Sequence, residues 1–205
     1  MKDLPREFLA ELSALEETYL AHSDPIRQSG FGGGAESWRA EREPILDAVD
    51  RSGSLLDVGC ANGYLLDCLV RWAAERGLAL TPYGVDCGER LIALARGRFP
   101  GREASFFVAN AWSWTPPRRF DFVYTLQDVV PPSHLARYVE RAFSELVAPG
   151  GTLIVGAYGS RSRGRAPLDL AGFLERAGHR VAGSSFGGEP PITAFAWVRK
   201  PSEAR

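Results

Sequence analysis

Between Ser54 and Leu66 the chain reads SLLDVGCANGYLL: an apolar burst that ends on an acid, a turn carrying Gly59 and Gly63, and the opening of a helix. That succession constrains the fold more than any other feature of the sequence. A short apolar run bounded by turn residues indicates a strand buried on both faces. Glycines in the turn let the backbone approach a ligand, and amide groups at a helix start attract anionic groups. One strand–helix–strand unit later, PYGVD (82–86) ends on Asp86, an acceptor suited to both hydroxyls of a ribose. Together the turn and the acid indicate a nucleotide-type site at the carboxyl end of a parallel sheet.

The rest of the chain fits the same alternation. Helices are expected over 64–76, burying Leu65, Leu69, Trp72 and Ala73, then over 89–98, over 133–147 with Ser133 as N-cap, and over 167–177 closed by Gly178. Strands are expected at 104–109, 120–126 and 151–158, and the tail reads as two strands joined by a five-residue turn, an antiparallel hairpin. Ahead of this core (54–205), residues 1–53 form an N-terminal cap. It has a helix over 5–20, with Phe8, Leu12, Leu15 and Tyr19 at helical spacing, a Gly-rich break at 23–37, and a helix from Trp38 to about Val49. The break suits either a lid or a plain linker.

Composition excludes several classes. No apolar run approaches the roughly 20 residues of a membrane span, and MKDLPREF does not read as a signal peptide. Cys60, Cys68 and Cys87 form no CxxC pair, so neither a metal site nor a disulfide framework is expected, and a cytoplasmic setting is. With 24 basic and 25 acidic residues the net charge is −1, which weighs against a general nucleic-acid binder.

Several segments resemble the class I S-adenosylmethionine-dependent methyltransferases. LLDVGCANG (55–63) is similar to that family's first motif, Asp-x-Gly-x-Gly-x-Gly, with Ala61 in place of the middle glycine. GVD at 84–86 matches its ribose-binding strand end, VANAW (108–112) the segment after its third strand, and RRFDFVYTLQDVV (118–130) its fourth-strand motif. LVAPGGTLIV (146–155) is similar to its turn into strand 5. The resemblance implies an α/β three-layer sandwich with a seven-stranded, mostly parallel sheet in order 3-2-1-4-5-7-6, strand 7 antiparallel. It also implies S-adenosylmethionine as cofactor and S-adenosylhomocysteine as product. In that reading Asp57 and the turn Gly59, Cys60, Ala61 and Gly63 cradle the methionine moiety, and Asp86 holds the ribose. Asn110 with the backbone of Ala111 and Trp112 holds adenine, flanked by Cys87 and Leu126.

Methyl transfer needs alignment and desolvation more than a dedicated base. Where the acceptor must lose a proton, Asp128 and His134, beyond the fourth strand, are the catalytic candidates. QDVVPP differs from the Asn-Pro-Pro-aromatic signature of methyltransferases acting on nucleic-acid or glutamine amino groups. RSRGR (161–165) is either an anion-gripping or a solvated loop. The expected partner is a small-molecule acceptor, with no nucleic acid and no membrane; the oligomeric state stays open. An RNA or protein methyltransferase and a non-catalytic S-adenosylmethionine-binding protein are the alternatives. A nicotinamide dehydrogenase ranks behind them, because the third glycine of its fingerprint is missing.

Overall fold

The computed structural model describes residues 4–202. Seven strands form one sheet in the order β3-β2-β1-β4-β5-β7-β6. They are β1 (Gly53–Val58), β2 (Leu80–Asp86), β3 (Phe106–Val108), β4 (Phe120–Leu126), β5 (Val147–Tyr158), β6 (Val181–Gly187) and β7 (Thr193–Arg199). The first five pair in parallel, while β7 runs antiparallel between β5 and β6. The expected α/β fold and strand order are therefore present.

Parallel strands joined by crossovers are buried on both faces, and side-chain alternation divides the core in two. Leu56, Val58, Val123, Leu153 and Val155 meet α5 (Leu135–Arg141) and α6 (Leu170–Arg176). Leu55, Phe122, Tyr124 and Ile154 meet α3 (Tyr64–Glu75) and α4 (Glu89–Arg98) on the other face. The N-terminal segment supplies α1 (Arg6–Leu20) and α2 (Ala35–Arg42), followed by a tighter helical turn over Glu43–Ala48 that buries Ile45, Leu46 and Ala48 completely against the second face. Each such aliphatic burial contributes about 1.5–3 kcal/mol for the larger side chains.

Local chemistry moved several expected boundaries. The helix expected over 38–49 loses its α form after Arg42, because Pro44 has no N–H to donate and its ring crowds the carbonyl four residues back. In α3 Leu66 is buried and Leu65 only half-buried. The third strand shortens to three residues behind a helical turn over Glu103–Ser105. Ser133 does not cap a helix; its hydroxyl meets His134 Nδ1 at 3.0 Å, and a tight turn over Pro132–His134 precedes α5. The end of α5 widens into a π-turn over Ala142–Leu146, and Lys200 gathers the carbonyls there and just beyond: Nζ donates to Phe143, Ser144 and Val147 at 3.1, 2.7 and 3.0 Å. Strand β5 already begins at Val147, and its register with β4 shifts between the pairs Phe120–Val147 and Phe122–Thr152.

Candidate functional site

A cleft opens at the carboxyl ends of β1, β2 and β4, and α1 lies across it. Its floor is the turn after β1. Gly59 N and Cys60 N both donate to Val85 O, at 2.8 and 3.2 Å, which ties the turn to β2. Gly59 sits at φ +86°, and a Cβ there would stand 2.9 Å from Val129 Cγ1, so only a bare Cα fits that wall. Ala61 occupies the left-handed region at φ +45°, a conformation that costs an L-residue roughly 1–2 kcal/mol. Its amide is held by Asp86 Oδ2 at 2.9 Å.

Gly63 packs tightly against α4. It begins α3 at φ +72°, and a Cβ would lie 3.0 Å from Ala95 Cβ and 3.3 Å from Ala95 Cα on α4. Gly63→Ala is expected to destabilise the fold by about 2 kcal/mol from strain and crowding combined. Thermal unfolding checks this: the melting temperature falls by about 4–8 °C, and an unchanged value contradicts the packing role.

Asp86 closes the turn from the β2 side. Oδ1 accepts from Gly88 N at 2.8 Å while Oδ2 takes the Ala61 amide. Burial raises its carboxyl, and the two amide hydrogen bonds partly offset that. An ionised carboxylate has about four acceptor positions, so beyond the two amides there is room for further donors, of which the neighbouring Cys87 thiol is one. Asp57 is different: it is 2% exposed at the end of β1, outside the cleft wall, and burial followed by the charge of Asp86 pushes its carboxyl up to about 7. Cys60 is buried beside it, whereas Cys87 is on the wall, its thiol pushed up to about 11 by burial and by Asp86.

On the far wall Ala111 and Leu126 face the cleft. Asn110 Oδ1 accepts from Trp112 N at 2.8 Å and the Asn110 carbonyl accepts from Ser113 N and Trp114 N, so this residue shapes its own turn. Trp112 is buried, and the Arg141 guanidinium holds the carbonyls of Ala111 and Trp112 at 3.0 and 2.9 Å. Of the two catalytic candidates, Asp128 lines the cleft, with its carboxyl raised by burial against the pull of Arg165. The His134 ring instead packs edge-on against Trp112 at 5.0 Å.

Sequence reading missed the roof. Leu12, Leu15, Glu16 and Tyr19 of α1 line the cleft, although this helix fully buries none of its own side chains. The Tyr19 phenol is pushed up to about 12 by burial, then by Asp128 and Asp86. A signal was present in the acid set within an apolar helix face, but it read equally as a sheet cap. The two other open features turned inward. Phe31 and Trp38 pack round the buried Arg42 guanidinium, 4.9 and 5.0 Å away, with Tyr158 at 3.8 Å. Arg161 of the RSRGR loop pairs with buried Glu41 at 2.5 Å, and Ser160 and Arg165 close that loop on itself.

The family described as a methyltransferase domain matches residues 55–151. No curated protein matches the chain. Among solved structures, the N-methyltransferase NodS from Bradyrhizobium japonicum WM9, in complex with S-adenosylhomocysteine, superposes with a TM-score of 0.68 at 16% identity, over 93% of this chain and 98% of that one. The 1,6-didemethyltoxoflavin N1-methyltransferase of Burkholderia thailandensis, bound to 1,6-didemethyltoxoflavin and S-adenosylhomocysteine, gives 0.66 at 20% identity, over 98% and 92%. The magnesium protoporphyrin IX methyltransferase of Synechocystis PCC 6803, with bound S-adenosylmethionine, gives 0.64 at 13%, over 98% and 100%. At these identities the likeness is one of fold.

Proposed function

We propose that this chain, which carries a methyltransferase domain on the class I S-adenosylmethionine-dependent fold, methylates a small-molecule acceptor held at the Asp128 end of its cleft. The observation that carries the reading is Asp86, whose two oxygens each spend one acceptor position on the turn and leave room for ribose hydroxyls. Gly59 and Ala61 would hold the methionine end against the turn with Asp57 beneath it. Ala111 and Leu126 would flank adenine opposite Cys87, and Asn110, Trp112, Cys60 and Gly63 would shape those walls from behind.

S-adenosylmethionine supplies an activated methyl group for in-line displacement. The chain's part is to align the acceptor and keep water out, which α1 does with Leu12, Leu15 and Tyr19. Asp128 is a cleft carboxylate able to take a proton from an acceptor, and its raised carboxyl brings it closer to neutral pH. His134 keeps a packing role. A small acceptor is supported by the roofed cleft, by the net charge of −1, and by the toxoflavin-type enzyme among the similar folds. Among the described residues no helix is long and apolar enough to cross a membrane, and three unpaired cysteines suit the cytoplasm.

Titration calorimetry tests the reading. S-adenosylmethionine and S-adenosylhomocysteine are expected to bind and NADH is not; tight NADH binding with no response to either would overturn it. Nucleic-acid acceptors are tested separately, because phosphate contacts make affinity fall steeply with salt. Anisotropy with RNA or DNA near physiological salt is expected to give no specific binding, and submicromolar RNA binding would favour the RNA reading.

A further inference from the structure

Three carboxylates face the cleft, and among the described residues no lysine or arginine lines it. Asp86 ends β2, Asp128 follows β4, and Glu16 comes from α1. Glu16 Oε1 and Asp86 Oδ1 lie 2.8 and 3.3 Å from the point where a side chain on Gly88 would begin, so two like charges converge over one glycine. Nor is Glu16 a mobile surface acid. Its side chain is 18% exposed, and Oε1 accepts from Arg90 N at 3.0 Å and Leu91 N at 3.4 Å. The N-cap position of α4 is Gly88, which has no side chain to offer, so a carboxylate from α1, far earlier in the chain, caps that helix. Its charge acts on the cleft, raising the carboxyl of Asp86 and the thiol of Cys87. The cations in range stand off the wall: half-exposed Arg90 is 3.5 Å from Glu16, and Arg165 acts on Asp128.

We propose that Glu16, acting with Asp128, makes the cleft select for the positive charge of the methyl donor, so that S-adenosylmethionine binds more tightly than S-adenosylhomocysteine. This rests on the methyl-transfer reading. The two molecules differ by one methyl group and one positive charge on sulfur. Fixed like charges in a partly dry cleft repel one another through a dielectric well below that of water, and a cationic occupant relieves them where a neutral one does not. When the methyl–sulfur bond breaks, its electron pair stays on sulfur and that relief is lost. The spent product is then held less firmly than the donor that replaces it.

Calorimetry on the full chain tests this at low and high salt with three probes: the donor, the product, and a donor analogue carrying a primary amine in place of the sulfonium. At low salt the donor is expected to bind about tenfold more tightly than the product, or about 1.4 kcal/mol. The amine analogue should follow the donor, and added salt should narrow the gap. E16Q keeps the shape and the amide contacts, and D128N keeps the shape; each is expected to cut the donor-to-product ratio about threefold. Product bound as tightly as donor by the wild-type chain overturns the proposal, as does a ratio unchanged in both variants. If a variant fails to fold, the analogue and salt measurements on the wild-type chain still decide. If neither donor nor product binds, the methyl-transfer reading itself fails, and this inference with it.

Discussion

Between pH 4 and pH 7 the protein is expected to lose about 4 kcal/mol of stability through Asp57 alone. In the unfolded chain this carboxyl ionises near 3.8, whereas in the folded chain burial and the neighbouring charge of Asp86 hold its proton until about 7. As pH rises through that window the unfolded state binds fewer protons than the folded state, so stability falls, and above the folded value it levels off. Other acids titrate over the same range, so the measurement is a difference. Urea unfolding of the wild-type chain and D57N should coincide near pH 4. By pH 8 the variant should be the more stable, approaching that 4 kcal/mol. Parallel curves for the two proteins would show that Asp57 is ionised in the fold from the outset.

Asp86→Ala is expected to weaken S-adenosylhomocysteine binding about a hundredfold. Two hydroxyl hydrogen bonds to a carboxylate contribute at least about 1.5 kcal/mol each when water is excluded, and about 2.8 kcal/mol corresponds to that factor. The substitution also strips the acceptor from Ala61 N and Gly88 N, so the left-handed turn at Ala61 loses the contact that holds it. Calorimetry on folded variant checks the value. A loss below tenfold, with circular dichroism unchanged, would mean that the ribose is held by other groups.

What was legible in the sequence was local. The buried strands, the turn at Gly59–Gly63, the acid at Asp86 and the closing hairpin are each written within one short run of consecutive residues, and the strand order follows from their resemblance to a known pattern. Pro44 was equally local, and its effect on the second helix was available from the missing N–H. Other features depend on residues that only folding brings together. Nothing near Glu16 in the chain announces that it will cap α4, or that α1 will roof the cleft. That Asp128 lines the cleft while the His134 ring packs on Trp112 depends on how the chain after β4 folds. The value near 7 at Asp57 comes from complete burial, which no spacing rule conveys. Asn110 shows the reverse: the commonplace habit of its residue type, folding its side chain onto the amide two residues on, was present in the sequence and is what the structure contains.

The tight turn over Glu43–Ala48 also bears on the order in which the molecule can be completed during synthesis. The turn and the end of α2 before it meet residues from the other end of the chain: Ser185 Oγ donates to Pro44 O at 2.7 Å, Thr193 Oγ1 to Glu41 O at 2.8 Å, and Gly188 N to Ala40 O at 3.2 Å. A ribosome therefore releases Ile45, Leu46 and Ala48 well before the strands that cover them exist. Closing so long a loop is slow, and uncovered apolar segments invite wrong partners in the meantime. The polypeptide leaves the tunnel with its beginning waiting for its end, and a nascent chain stalled before β6 would expose that stretch to chaperones.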